Sequence, residues 1–229
     1  MTRRSLYILA SYRLASQKTI MTKASKPGPR RRRRKEERPS EILAAAIAVF
    51  SEKGFSAARL EDVAERAGVA KGTIYLYFAT KEELFEAVVR DAFTPVLTRM
   101  TGAMVLPEVS STMLVQLMIR TLYSQMVATE RREILRLLVA EAKRFPDLVA
   151  FYHREAISRG KAIMKDILAR GVASGEFRDG PATRYPEVVI GPAILAAVWK
   201  LVFEPQESMD LDQMIEAHLD LIFSGITSR

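Results

Sequence analysis

Hydrophobic residues recur in this sequence at intervals of three and four positions, the spacing that places side chains on one face of an α-helix. Five of them form the first such stripe: Ile42, Leu43, Ala46, Ile47 and Phe50. We predict a helix here that begins at Ser40 or at the Arg38-Pro39 pair, because proline fits the first turn of a helix, and that ends at Gly54.

Two short helices joined by a sharp turn are predicted next. Leu60, Val63, Ala64 and Ala67 share one face of the first helix, which stops at Gly68. The second helix is predicted over residues 71–78, with Ile74, Tyr75 and Phe78 as its apolar members.

A capping box follows at residues 80–83. The Thr80 hydroxyl and the Glu83 carboxylate are each predicted to accept a hydrogen bond from a free amide. This box opens a longer helix that reaches about Ala92.

From Pro107 onward the pattern is helical throughout. The predicted helices cover residues 109–129, 131–145, 146–171, 186–203 and 210–224, and no stretch alternates with the period of two that a strand requires. We therefore predict an all-α fold of about nine helices. Residues 1–37 form a tail, residues 38–85 a three-helix domain, and residues 86–229 a larger helical domain.

The positive charge of the chain lies in its tail. The formal net charge is +8, and residues 1–39 contain 13 Lys or Arg and two Glu, whereas the remaining residues are slightly acidic. The run Arg30, Arg31, Arg32, Arg33, Arg34 and Lys35 repels itself, so the tail is predicted to be disordered until it meets an anion. Residues 1–20 are interpreted as an unstructured extension, and Met21 is an alternative start.

The segment 60–78 has the features of a helix-turn-helix. Ala64 is small where two helices must cross closely, Gly68 supplies the positive φ of the turn, and Val69 fills the angle between the helices. Lys71 and Thr73 are placed at the N-terminus of the second helix, where free amides and the helix dipole favour phosphate. On these features alone, a helical hairpin with no role in DNA binding stays open.

Residues 50–85 resemble the N-terminal domain of the TetR family of bacterial transcription regulators. The matching segments are Gly54-Phe55, Asp62-Val63-Ala64, Ala67-Gly68-Val69, Lys71-Gly72-Thr73-Ile74-Tyr75, Tyr77-Phe78 and Lys81-Glu82-Glu83-Leu84. The resemblance implies a cytoplasmic, homodimeric repressor without enzymatic activity. It would bind a pseudo-palindromic operator in double-stranded DNA and leave it on binding a small apolar or amphipathic effector, with no other cofactor.

The resemblance also implies roles for individual residues. Lys71, Thr73, Tyr75 and Tyr77 correspond to DNA-facing positions of the recognition helix, Gly72 allows close approach to the backbone, and Lys81 corresponds to a phosphate contact. Arg59 and Ala70 depart from the family pattern, because neither offers the side-chain oxygen that usually caps these helices; each loss costs about 1 kcal/mol unless something compensates. Arg59 is either a phosphate contact or a solvated cation.

The predicted DNA-binding domain is itself not basic, since residues 40–85 contain five basic and seven acidic side chains. Binding to a polyanion must then depend on local placement or on another segment. The Arg30–Lys35 run is the candidate, either as an arm that follows the DNA backbone or enters the minor groove or as a nonspecific polycation.

The resemblance assigns dimerisation to the last two long helices, and their sequence provides small and apolar residues for that role. The predicted interface residues are Ala193, Ala197, Leu201, Ile215, Leu219 and Ile222. An effector pocket is predicted among the helices between residues 109 and 171, because methionine and aromatic residues there suit a pliable site. Its candidate lining is Met113, Met118, Tyr123, Met126, Phe151 and Tyr152.

Other chemistry finds little support in the sequence. The chain has no cysteine and only two histidines, His153 and His218, which are predicted to lie at the surface or at an interface; no metal site and no catalytic residues are predicted. No apolar stretch reaches the length of a membrane span. The alternatives are a helical module whose basic tail binds RNA or an anionic membrane, and a helical enzyme.

Overall fold

A computed structural model of the chain describes the backbone of residues 30–227 and the side chains of residues 39–227. Its α-helices, in chain order, are α1 (Arg30–Ala57), α2 (Leu60–Arg66), α3 (Lys71–Tyr75), α4 (Lys81–Met104), α5 (Ser111–Leu122), α6 (Glu133–Glu141), α7 (Pro146–Tyr152), α8 (Arg159–Ala173), α9 (Pro181–Arg184), α10 (Pro186–Val202) and α11 (Leu211–Ile226).

Several of these helices run into one another through tighter or wider turns. A π-helical turn, Tyr123–Val127, extends α5; a 3₁₀ turn, Glu130–Arg132, leads into α6; and a second π-helical turn, His153–Ser158, joins α7 to α8. Residues 30–227 thus hold ten continuous helical segments and, in place of any strand, one isolated bridge between Phe177 and Thr227. The all-α prediction is confirmed.

The first helix begins earlier than predicted, at Arg30 rather than at Pro39 or Ser40. Arginine, lysine and glutamate are strong helix formers, and this propensity outweighs the boundary signal of Pro39. The predicted end is better placed, because Gly54 interrupts the helix with φ of 73° before the last turn, a conformation that glycine adopts without strain.

The head of the protein, which we define as α1 to α3 with the first half of α4, shares one hydrophobic core with α6 and α7. Phe55 and Phe85 are fully buried in it, and the Phe55 ring meets the Phe145 ring edge-on at 4.9 Å. The predicted boundary between residues 85 and 86 therefore falls inside a shared core, and the chain from Pro39 onward forms one compact unit.

A second core lies among the other half of α4 and the helices α5, α8, α10 and α11. Its fully buried members include Met100, Leu114, Met164 and Ile167. Helix α4 contributes to both cores, so it links the head to the rest of the protein. The capping box predicted at the start of α4 is present: Glu83 N–H donates to the Thr80 hydroxyl (3.1 Å), and Ala79 N–H donates to the Glu83 carboxylate (2.8 Å).

Candidate DNA-binding surface and effector cavity

Helices α2 and α3 form the predicted helix-turn-helix. Gly68 has φ of 64°, as predicted, and the chain reverses so tightly that Val69 N–H donates to the Ala64 carbonyl at 2.9 Å. Ile74 is fully buried and fixes α3 against the head core. This anchoring leaves the opposite side of a very short helix exposed to solvent.

The recognition helix is shorter than the predicted range of residues 71–78, since α3 ends at Tyr75. Phe78 must return to the head core, so the chain tightens: the amides of Tyr77 (3.0 Å) and Phe78 (2.9 Å) both donate to the Ile74 carbonyl. The apolar spacing of Ile74 and Phe78 fits a helix and this turn equally well, and therefore the sequence did not distinguish them.

Most of the predicted DNA-facing residues are exposed together on α3 and the turn after it. Lys71, Gly72, Tyr75 and Tyr77 are exposed and Thr73 is half-buried. The sequence interpretation missed Leu76, whose side chain is 84% exposed between the two tyrosines. An unburied leucine beside a recognition helix suits apolar contact with a thymine methyl group.

An acidic side chain from α2 occupies this surface in the free protein. The Glu61 carboxylate forms an ion pair with Lys71 (2.8 Å) and accepts a hydrogen bond from the Tyr75 hydroxyl (2.8 Å). The hydrogen bond from Lys71, above all, lowers the pKa of Glu61 to about 2, and the bond to Glu61 raises the pKa of Tyr75. Two predicted DNA contacts are therefore held by one carboxylate.

Lys81 is the first residue of α4, and its ammonium group is bound within the head. Its ammonium group donates to the carbonyls of Phe55 (2.8 Å), Ser56 (2.8 Å) and Ala58 (3.4 Å) and stands 4.9 Å from the centre of the Phe55 ring. Half-buried in this way, it binds the chain that follows Gly54, and the phosphate contact implied by the resemblance stays a prediction. The irregular backbone there supplies the free carbonyls, which the sequence pattern alone does not reveal.

Helices α2 and α3 both lack a side-chain cap at the N-terminus, as predicted, but only α2 has a partial replacement. At α2 the Arg59 side chain is exposed and makes no cap, but Asp62 accepts a hydrogen bond from the Arg59 N–H at 3.0 Å, which compensates in part. At α3 Ala70 has no substitute. The first amides of α3 consequently keep their donors for solvent or for phosphate.

The predicted arm lies largely outside the described residues. The backbone of Arg30 to Lys35 is helical as part of α1, while the side chains of residues 30–38 and all of residues 1–29 lie outside the described residues. The helical backbone of residues 30–37 differs from the predicted disorder, which stays a prediction for residues 1–29, as does the contact of the tail with DNA.

Removing residues 1–37 tests the arm. We expect lower operator affinity and a shallower dependence on salt, because each lost phosphate contact reduces the slope of log K against log salt by about 0.9. Fluorescence anisotropy of a labelled operator at several salt concentrations measures both quantities. Unchanged affinity together with an unchanged slope would rule out the arm.

Gly72 gives a second test of the surface. Apart from its chain neighbours and the backbone of its own helix, no atom of the described residues lies within 4 Å of the position that a Cβ would occupy on Gly72, so packing does not require glycine there. Gly72→Ala should keep or slightly raise the thermal midpoint, since alanine favours a helix by about 1 kcal/mol over glycine, yet weaken operator binding if DNA approaches the backbone. Gly102→Ala, on the exposed side of α4 with the same open space, is the matched control and should leave DNA binding unchanged.

The structure also contains a cavity of about 270 Å³ between α4, α5, α8 and α10, with the start of α6 at one side. Its wall is mainly apolar, and Phe93 and Tyr152 meet edge-on there at 5.4 Å. Burial raises the pKa of Tyr152, which keeps its hydroxyl neutral. A mainly apolar hollow with a few polar groups is the usual form of a small-molecule site.

Half of the predicted pocket residues line this cavity: Met118, Met126 and Tyr152 do, whereas Met113, Tyr123 and Phe151 do not. Phe151 directly precedes Tyr152, and a step of one residue around a helix turns its ring into the head core. Tyr123 is fully buried among α5, α10 and α11, and Met113 packs against the same core.

Some of the lining residues that the prediction missed lie outside its range of residues 109–171. Helix α4 contributes Phe93, Val96 and Leu97, and α10 contributes Ile190 and Ile194. Three cations within that range, Arg131, Arg132 and Lys161, also line the cavity and were missed as well. The sequence signal that could have identified the cations is the adjacent pair Arg131 and Arg132 between two apolar helices.

Most of the predicted dimer residues lie in the core of a single chain. Ala193, Ala197, Ile215, Leu219 and Ile222 are buried within the core of one chain, and Leu201 is half-buried. Helix α10 is apolar on nearly every side, so its sequence did not reveal which face turns inward. The outward apolar face consists instead of Val188, Leu195, Val198, Val202 and Leu221.

The histidines also differ from the prediction in one case. His153 is exposed, but His218 is buried: its Nε2–H donates to the Val189 carbonyl (2.9 Å), and the Tyr123 hydroxyl donates to its Nδ1 (3.2 Å). Burial lowers the pKa of His218, so the ring is neutral. Among the described residues there is no group of three potential metal ligands, and no helix there has the length and apolarity to cross a membrane.

Comparison with known proteins agrees with both halves of this architecture. Residues 42–88 match the model of bacterial regulatory proteins of the tetR family, and residues 114–217 match the tetracyclin repressor-like C-terminal domain; together these matches cover more than half of the chain.

Similar proteins extend over nearly the whole length. The transcriptional repressor KstR2 of Mycolicibacterium smegmatis is 27% identical over 83% of this chain and 91% of its own. The fatty acid metabolism regulator protein of Bacillus subtilis is 28% identical over 85% of this chain and 100% of its own. The structure of FadR from Bacillus subtilis in complex with stearoyl-CoA superposes with a TM-score of 0.65 at 25% identity, covering 81% of this chain and 98% of that one. The chain therefore belongs to the TetR family of bacterial transcriptional regulators, DNA-binding proteins and not enzymes, which act as dimers and respond to small-molecule effectors.

Proposed function

We propose that this regulator is a cytoplasmic homodimeric repressor that leaves its operator when an apolar or amphipathic molecule enters the cavity. Helix α4 carries the proposal. It begins at Lys81, which holds the head, and three turns later Phe93, Val96 and Leu97 form one wall of the cavity. A molecule that moves this wall therefore acts on the helix to which the head is attached.

The DNA contacts proposed are Lys71, Thr73, Tyr75 and Tyr77, with close approach at Gly72 and apolar contact from Leu76. Arg59 is included because its side chain is exposed at the start of α2. Lys81 is not, since its ammonium group is bound to backbone carbonyls. Two copies of a short recognition helix would read the two halves of a pseudo-palindromic operator.

The proposed dimer forms through the outward apolar face of α10 and α11. Val188, Leu195 and Val202 follow one another at intervals of seven residues on α10, and their side chains are 63%, 57% and 55% exposed. Such a contiguous apolar face on one chain is typical of a surface that a second copy covers.

The class of effector is proposed from the cavity and from the relatives. The cavity wall is mainly apolar, and the similar regulator FadR binds stearoyl-CoA. Fatty acyl compounds are therefore the first to test, with decanoate, 1-decanol and decanoyl-CoA as probes.

A cavity-filling variant tests this function. Gly160 lines the cavity and has no described atom within 4 Å of the position of a Cβ, so Gly160→Trp should occupy the space that the effector needs. We expect the variant to bind DNA from the region upstream of its own gene as the unmodified protein does, and to lose release by the probes. Gly102→Trp, outside the cavity, should keep release. Release of Gly160→Trp equal to that of the unmodified protein would contradict the proposal.

A further inference from the structure

A pair of adjacent arginines lies at one side of the apolar cavity, and the proposed function does not use it. Arg131 and Arg132 lie in the turn that leads into α6, and both line the cavity. Lys161 lines it too, but its charge is neutralised by the ion pair with Glu187 of α10, another lining residue. The two arginines are therefore the lining cations that have no acidic partner among the lining residues.

The partners of Arg131 satisfy much of its guanidinium group. Its Nη2 stands 3.3 Å from the Asp91 carboxylate, and its Nη1 donates to the Gln125 side chain at 3.4 Å. Arg131 is thus held between α4 and α5 by acceptors within the protein.

Arg132 is different, because one edge of its guanidinium group has no good acceptor. Its Nη1 donates to the Thr129 carbonyl at 3.0 Å, but the Nε–H is buried with no hydrogen-bond partner among the described residues. Beside the Nε, the Nη2 has only the mostly exposed Glu130 carboxylate at 3.7 Å. A buried charged donor without an acceptor is unfavourable, and native structures rarely keep one without a reason.

The open edge has a shape that a particular ligand group fits. The Nε–H and one Nη–H of arginine are parallel donors, which match two oxygens of a carboxylate or phosphate in a bidentate contact. Burial beside an apolar cavity strengthens such a contact, because water competes less. Because Arg132 is among the residues that line the apolar cavity, a ligand held by this group would have its apolar part beside the cavity wall.

We propose that Arg132 is the anion-binding residue of the effector site, and that the effector is an anionic amphipath whose carboxylate or phosphate binds the Nε and Nη2 edge of Arg132 while its apolar part fills the cavity. This inference rests on the proposed function, since it assigns the polar end of the same site. It adds a selectivity that an apolar cavity alone does not have, namely preference for anions over neutral molecules of equal length.

The test compares ligands of one chain length that differ in charge. Isothermal titration calorimetry of the full-length protein measures affinity for decanoate, 1-decanol and decanoyl-CoA, with operator release followed by anisotropy. We expect Arg132→Gln to weaken binding of at least one anion by roughly 10- to 100-fold and to leave 1-decanol unchanged. Loss for decanoate identifies a carboxylate as the bound group, and loss for decanoyl-CoA alone identifies the phosphates.

Two further variants keep the result interpretable. Arg132→Lys retains the charge but lacks the second parallel donor, so it should lose less affinity for the anion than Arg132→Gln. Arg120→Gln is the matched control, because Arg120 is an exposed arginine of α5 paired with Glu216 outside the cavity. Binding of 1-decanol by each variant shows that the cavity is intact.

Two results would overturn the assignment. Equal binding of the anions by Arg132→Gln and the unmodified protein would remove Arg132 from the site while leaving effector release intact. Equal weakening for the anions and 1-decanol would make Arg132 a residue that shapes the cavity and not an anion receptor. If the unmodified protein binds none of the three probes, the assignment and the proposed effector class both fail.

Discussion

Lys81→Met is expected to lower the free energy of unfolding by about 2–4 kcal/mol, because it leaves three carbonyls of the head without their donor. Methionine has nearly the same length and is apolar, so it keeps van der Waals contact with the Phe55 and Phe145 rings but loses the charge-assisted hydrogen bonds and the attraction of the ammonium group to these rings. Chemical denaturation followed by circular dichroism measures the change. Lys165→Met, at an exposed position of α8, is the control and should have little effect.

The same variant distinguishes the structure from the family resemblance. If Lys81 bound phosphate instead, Lys81→Met would keep its stability and lose about one unit of slope in the salt dependence of operator binding. The structure predicts instead that Lys81→Met lowers the free energy of unfolding. Operator affinity then falls as a consequence, because the head is less well held. A stable variant with a shallower salt slope would contradict the geometry.

How much of the fold the sequence predicted depends on what each residue contacts. Gly68 and the Thr80–Glu83 capping box are local devices whose partners lie within a few residues, and both were predicted correctly. The buried face of α1 followed from its own periodicity, whereas α10 is apolar on nearly every side and gave no such signal. The start of α1 did not, because propensity and a proline gave opposite signals.

The candidate sites were less predictable, because they depend on contacts between distant segments. Lys81 is separated by more than twenty residues from the carbonyls it binds, and Arg132 meets apolar residues of α8 and α10 only in the folded chain. Phe151 and Tyr152 show the limit clearly. They are neighbours of similar chemistry, yet one fills the head core and the other lines the cavity.

The recognition surface also depends on contacts between residues that are separated in the sequence. Sequence matching identified Lys71 and Tyr75 as DNA-facing positions, and the structure leaves both exposed. Sequence matching did not identify Glu61, ten residues from Lys71, as the carboxylate that binds both side chains. The composition of residues 40–85 shows that acidic side chains outnumber basic ones. The structure places one of these acidic side chains, Glu61, on the surface that would approach DNA.

Glu61→Gln is accordingly expected to increase operator affinity, by about tenfold at low salt, since it frees Lys71 for phosphate and removes a negative charge from the surface. Glutamine keeps the side-chain oxygen that accepts the hydrogen bond from Tyr75, so α3 should stay in place. The pKa of Glu61 is about 2, so the carboxylate stays ionised at the pH of any operator-binding assay and only substitution removes its charge. Thermal unfolding should change little, because the ion pair is exposed to solvent.

The salt dependence gives the decisive measurement for Glu61. An additional phosphate contact steepens the slope of log K against log salt by about 0.9 for each protomer, or roughly 2 for a dimer. Glu65→Gln removes an equal charge from an exposed position of the same helix and should give a smaller gain without that change in slope. The double variant Glu61→Gln with Lys71→Gln should lose the gain altogether, because the freed ammonium group is the proposed contact. A gain that survives in the double variant would show that Glu61 acts through the general field of the surface and not through Lys71.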